Sequence, residues 1–144
     1  MKIVEKIDVE KWRCFAFEHP KGNIFQTPEM YQVIKNTKDN EPVFLSATDD
    51  EDNVLAILLG QVQKFYKGLV GKLTSRSVIW GGPLIKDDDL EIGRCLLTKY
   101  DETVGKKVVY SEFRNLWKMN SYRRLFESCS YNYKDHLNIL VDLT

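Results

Sequence analysis

The order of hydrophobic patterns along the 144 residues predicts an α+β domain on one mixed, mostly antiparallel sheet flanked by helices. Three observations predict it. Segments of period-two alternation are interleaved with segments of helical period rather than gathered at one end. The polar stretch Asp49–Asn53 joins two alternating runs in the manner of a hairpin. One long helical pattern separates two later strands, a crossover that a purely antiparallel sheet would not need.

Each element has its local reason. Lys2 to Lys6 forms a short strand. Asp8 is an N-cap for a helix to about Glu18, with Val9, Trp12, Phe15, Ala16 and His19 along one side. His19-Pro20-Lys21-Gly22 stops it, because Pro and Gly do not continue a helix. Thr27-Pro28-Glu29 starts a second helix with a capping hydroxyl, Pro at the first position and an acid near the dipole. Met30, Val33 and Ile34 form its expected buried side. Val43–Thr48 and Val54–Gln63 are the two hairpin strands, the second apolar enough at its start for cover on both faces. A third strand lies between Lys72 and Trp80 and ends at Gly81-Gly82-Pro83-Leu84. Asp87-Asp88-Asp89 opens a long helix to about Val104, weakened by Gly93. Lys107–Arg114 is a strand, Ser121 begins a helix, and Leu137 to Leu143 alternates as a final strand.

Composition narrows the classes of function. With 43% hydrophobic residues the chain can build one core, and 21 basic residues cancel 21 acidic ones. There is no global field to recruit DNA or an acidic membrane. The longest apolar run, Val54 to Gly60, is far short of the ~20 residues that span a bilayer. The start lacks the apolar region of a secretory signal, so the expected location is cytoplasmic. The acidic hairpin tip lacks the glycine and ligand spacing of an EF-hand. Cys14, Cys95 and Cys129, odd in number and without a C-x-x-C pair, are expected to be reduced and buried, with no metal site. Charge is uneven in one place. Residues 61–80 hold Lys64, Lys67, Lys72 and Arg76 with no acid, around Phe65 and Tyr66. Such a stripe can hold phosphates or RNA, or can be a lysine-defended sheet edge.

Several short motifs fall in a fixed order. Ile24-Phe25-Gln26-Thr27 is similar to the "h-x-Q-T/D" opening of a second helix in the Fem family, the FemA/FemB-type aminoacyltransferases that build peptidoglycan cross-bridges. Gly82-Pro83-Leu84 resembles that family's Gly-Pro-hydrophobic turn, and Glu112-Phe113-Arg114 its "x-L-R" strand end. Leu140-Val141-Asp142-Leu143-Thr144 resembles its "hLDLT" strand. Met30 departs from the Trp that many relatives carry. The resemblance implies a GNAT-like (acyl-CoA N-acyltransferase) fold and the first half of a two-domain acyltransferase. It also implies a second GNAT-like domain beyond Thr144, a cell-wall precursor as acceptor, and aminoacyl-tRNA or acyl-CoA as donor. It places Lys35 within one position of a substrate-contacting lysine.

The residues themselves qualify that expectation. A CoA site in this fold needs a glycine-rich loop whose amides hold pyrophosphate at a helix start. Pro83 contributes no amide, and Asp87–Asp89 would repel phosphate, so CoA is disfavoured in this domain. Amide formation from an activated ester needs positioning, oxyanion stabilisation and a proton acceptor rather than a nucleophilic side chain. Glu112 and Tyr110, on one side of their strand, are the candidate catalytic groups. The alternative is that Glu112 and Arg114 form a same-face ion pair on a half-exposed strand. Trp80, Gly81 and Gly82 either line a ligand cleft or make a tight turn beside a core tryptophan. Lys21 either meets phosphate or is a solvated loop lysine. Three functions follow: the substrate-binding half of a Fem-like transferase, a non-catalytic module reading a glycan or peptide, and a CoA-dependent N-acetyltransferase.

Overall fold

The computed structural model describes residues 1–64, 74–117 and 120–134. The expected final strand and residues 65–73 of the basic segment lie outside the described residues. In chain order the elements are β1 (Lys2–Val4), α1 (Val9–Glu18), α2 (Pro28–Asn36), β2 (Asn40–Thr48), β3 (Val54–Gln63) and β4 (Arg76–Trp80). They continue with β5 (Leu84–Ile85), α3 (Leu90–Val104), β6 (Tyr110–Arg114) and α4 (Arg123–Ser128). Short 3-10 turns occupy Ile24–Gln26, Lys86–Asp88 and Asn120–Tyr122.

The helix starts follow their caps. The Asp8 carboxylate accepts from the amides of Glu10 and Lys11, both at 3.0 Å. The Thr27 hydroxyl accepts from Met30 at 3.3 Å, with Pro28 at the first helical position. The third aspartate of Asp87–Asp89 is the cap of α3, accepting from Glu91 and Ile92. The other two stand before the helix with φ of 54° each. The long helix therefore begins later than the acidic run predicts, and the residues released from the turn make β5, which the sequence reading lacks.

The sheet runs β1-β2-β3-β4-β6, antiparallel except for the parallel β4–β6 pair, so it is mixed. β5 lies off this path, beside the first half of β3. Alternation divides the burial between two faces. Leu45, Ala47, Leu58 and Ile79 pack under α3 and α4 with Leu97, Tyr100 and Phe126. Phe44, Ile57, Leu59 and Leu84 pack under α1 and α2, where Trp12 stacks on Phe44 at 3.7 Å.

Two glycines have packing reasons. A Cβ on Gly60 would stand 1.9 Å from the Tyr100 hydroxyl, which is bonded to Ser77 at 2.6 Å. One on Gly93 would meet Leu125 and Ile85, so this residue, unfavourable for the helix, lets α3 approach α4 and β5.

Some expected burial is not found. Val9 and Val33 are exposed, because α1 buries the Trp12–Ala16 stripe and α2 turns Ile34, with Met30 and Tyr31, toward the sheet. Cys14 and Cys95 are exposed and Cys129 is half-buried, contrary to the expected three buried thiols. Cys14 and Cys95 lie on the outer sides of amphipathic helices whose inner positions larger apolar residues already fill.

Candidate functional site

The parallel pair β4–β6 brings the sequence candidates together. Trp80 stands opposite Arg114, and the ladder extends one residue further through Gly81 N–H donating to the Arg114 carbonyl at 2.9 Å. The Arg114 guanidinium lies 4.6 Å from the centre of the Trp80 ring. Its Nε and Nη2 donate to the two carboxylate oxygens of Glu112 at 2.8 and 3.3 Å. With side chains 36% and 37% exposed, that ion pair adds little to stability. Its effect is to hold a planar donor over an aromatic face. Phe25 also stacks on Trp80, at 5.6 Å and 27° between planes.

Around this group lies a cleft of about 1060 Å³, lined by Trp80, Tyr110, Glu112 and Arg114 together with Trp117 and Tyr131. Tyr110 is exposed and sits at the other end of β6 from Arg114. At ~3.3 Å per residue that separates them by roughly 13 Å. The wall thus offers aromatic faces at both ends and a carboxylate–guanidinium pair at one of them. It can meet an elongated ligand with apolar faces and hydrogen-bonding groups.

Other candidates go elsewhere. Gly81 and Gly82 are buried, with φ of 76° and 70°, and turn the chain from β4 into β5. Lys35 is exposed in the last turn of α2, where the helix end favours a cation, and the described residues lining the cleft do not include it. Lys21 faces a second cavity of about 520 Å³ between the end of α1 and the turn before α3. Its ammonium bonds both Asp88 oxygens at 2.5 and 2.6 Å and lies 4.4 Å over the Tyr122 ring. The Tyr122 hydroxyl donates to Asp88 at 2.5 Å. Burial pushes the Asp88 carboxyl up, but the hydrogen bonds from Lys21 and Tyr122 outweigh it and hold it below the usual carboxylate range. Of the basic segment, Lys64 pairs with Glu41 at 2.7 Å and Arg76 donates to Gln63 at 2.9 Å.

Sequence reasoning missed Trp117, Tyr131 and Tyr133 on the cleft wall. A partial signal existed: residues 110–133 hold seven of the 17 aromatic residues, of which Phe113, Tyr122, Phe126, Tyr131 and Tyr133 also pack in or against the core. Tyr131 does two things. Its ring meets Phe113 edge-on at 5.0 Å, and its hydroxyl donates to Asp101, whose carboxyl burial pushes upward.

No family model matches the chain. No curated protein matches it either. Among solved structures it is similar to FemX, at 15% identity and TM-score 0.71 over 90% of this chain and 31% of that one. It is also similar to a probable acetyltransferase, at 14% identity and TM-score 0.62 over 100% and 99% of the two chains. A ribosomal-protein-alanine N-acetyltransferase from Brucella melitensis biovar Abortus 2308 matches at 10% identity and TM-score 0.60, over 99% and 98%. The chain therefore spans about a third of FemX and nearly all of the two acetyltransferases. These likenesses carry the fold: a GNAT-like α+β domain with an open mixed sheet flanked by helices.

Proposed function

We propose that this chain is the substrate-binding half of a Fem-like acyl or aminoacyl transferase that forms an amide on a cell-wall precursor or a related amine. The observation that carries the reading is the convergence of Trp80, Glu112, Arg114 and Tyr110 on one elongated cleft at the parallel β4–β6 pair. An acceptor bearing a peptide has the length to reach both ends of β6. Glu112, as a carboxylate, is the group that could receive the amine's proton, and the Arg114 N–H groups can stabilise a developing oxyanion beside it. Tyr110, at the far end of β6, can contact the acceptor. Lys35, Lys21 and the Gly81–Gly82 turn stay at the margin of this reading. The donor is aminoacyl-tRNA rather than acyl-CoA, which places the reaction in the cytoplasm. The amides at the start of α3 are already occupied by Asp89, Pro83 has none, and Asp87 and Asp88 add negative charge to the turn before it. A second GNAT-like domain supplies the other wall of the reaction centre and is the partner this reading needs.

A CoA-dependent N-acetyltransferase is the second reading, favoured by likeness to acetyltransferases of this chain's own length. Calorimetric titration with a muropeptide and, separately, with acetyl-CoA decides between them. Muropeptide binding that Arg114→Ala and Trp80→Ala each weaken, with none for acetyl-CoA, supports the transferase half. Micromolar acetyl-CoA affinity overturns it. Muropeptide binding without transfer, even when a second GNAT-like domain and aminoacyl-tRNA are supplied, leaves a non-catalytic module that reads a glycan or peptide.

A further inference from the structure

We propose that Gln26 is a positioning residue of the cleft, fixing Trp80 on its β3 side, where the pairing of β3 with β4 has stopped; the inference rests on the cleft reading above. β3 pairs with β5 at Ala56 and Ile57 and with β4 from Gln61 to Gln63. Between those stretches Leu59 faces neither strand. The Leu59 N–H donates to Gln26 Oε1 at 2.7 Å, and its carbonyl accepts from Gln26 Nε2 at 3.0 Å. The same Nε2 donates to the Trp80 carbonyl at 2.8 Å. A primary amide has one carbonyl oxygen and two N–H donors, and here all are engaged on a residue with 0% exposure. The side chain acts as one peptide unit inserted between two diverging strands.

Its neighbours in the turn reach the same place. Phe25 stacks on the Trp80 ring. Asn23 Nδ2 donates to the Gly81 carbonyl at 3.4 Å, and its amide occupies the space a Gly81 Cβ would need, 2.3 Å away. The Gln26 carbonyl accepts the Trp12 indole N–H at 2.7 Å, which ties the turn to α1. One short turn therefore grips Trp80 by ring and by backbone, and Gly81 beside it. Gln26 lines no part of the cleft among the described residues; it acts through Trp80.

The test is ¹⁹F NMR of the chain labelled with 5-fluorotryptophan, its three tryptophans assigned by single Trp→Phe replacements. Gln26→Ala removes the bridge. Gln26→Glu keeps the acceptor and loses both donors. Leu97→Ala, a truncation of the core under α3, controls for destabilisation alone. Expected are a displaced and broadened Trp80 resonance in both Gln26 variants, with Trp80 unmoved in Leu97→Ala. If the Gln26 variants do not fold, hydrogen exchange of the parent decides the matter: the Leu59 N–H, held by Gln26 Oε1, should exchange as slowly as the β2–β3 ladder amides, and fast exchange there overturns the proposal. A Trp80 resonance unmoved in the folded variants overturns the proposal. Muropeptide titration is read beside it, and binding should weaken about tenfold in a folded Gln26 variant. If the parent chain binds no muropeptide, the functional reading fails while the Trp80 resonance still decides the role of Gln26.

Discussion

At the scale of single residues, the sharpest consequences come from carboxylates that burial and hydrogen bonding pull in opposite directions. Asp88 titrates below its ordinary range because Lys21 and Tyr122 donate to it. A depressed carboxyl stabilises the fold above its unfolded pKa of ~3.9, and that contribution is lost as pH falls through the folded value. With the Asp88 side chain 42% exposed, solvent screening keeps the effect near ~1 kcal/mol. Urea unfolding should therefore find Asp88→Asn less stable than the parent at neutral pH, with the gap closing below about pH 4. Equal stability of the two at neutral pH would remove Asp88 as the cause. Asp101 is the opposite case, since burial raises it and, among the described residues, the Tyr131 hydroxyl offsets part of that. Tyr131→Phe should cost ~1–3 kcal/mol near neutral pH by stranding a half-buried carboxylate. Adding Asp101→Asn should recover part of that loss, a coupling that a double-mutant cycle reads directly.

At the scale of elements, β3 and α3 meet where Gly60 leaves room for the Tyr100 hydroxyl. Neither can shift cheaply, since Tyr100 is fully buried and bonded to Ser77. Gly60→Ala should lower stability by ~1–3 kcal/mol through overpacking. Tyr100→Phe should be less costly in that background than in the parent, and additive losses in thermal unfolding would refute the clash. Much at this scale is legible in the sequence. Asp8, Thr27-Pro28 and the acidic run before α3 mark helix starts through local chemistry, and the β2–β3 hairpin follows from alternation. The boundary of α3 is not legible, because three adjacent aspartates offer three caps. β5 escapes for a related reason. A two-residue strand has no periodicity to detect, and Leu84 and Ile85 pair with β3 only because β4 has diverged from it.

At the scale of the molecule, the proposed reading expects a domain with a core on both faces of its sheet to fold alone, and amide transfer to need a donor held and shielded on the other side of the cleft. The chain should therefore unfold cooperatively yet give no product from aminoacyl-tRNA and a lipid-linked muropeptide. Turnover is expected only when a second GNAT-like domain is supplied, on one chain or in trans. Equal turnover without that domain would put the whole reaction centre in these residues and refute the two-domain reading.

The sequence by itself determined the class of the fold, the main helix starts and the hairpin, and it singled out Trp80, Tyr110, Glu112 and Arg114 as candidates. Those are local or periodic properties, and each is written within a few positions of where it acts. Only the tertiary structure decided which candidates meet. Trp80 and Arg114 lie 34 positions apart and become partners through the parallel β4–β6 register, whereas Lys21 is drawn to Asp88, 67 positions away, at a different cavity. Gln26 shows the same division. The motif around it was readable, but its task exists only because two strands part and leave Leu59 and Trp80 needing hydrogen bonds that no neighbour in sequence can supply.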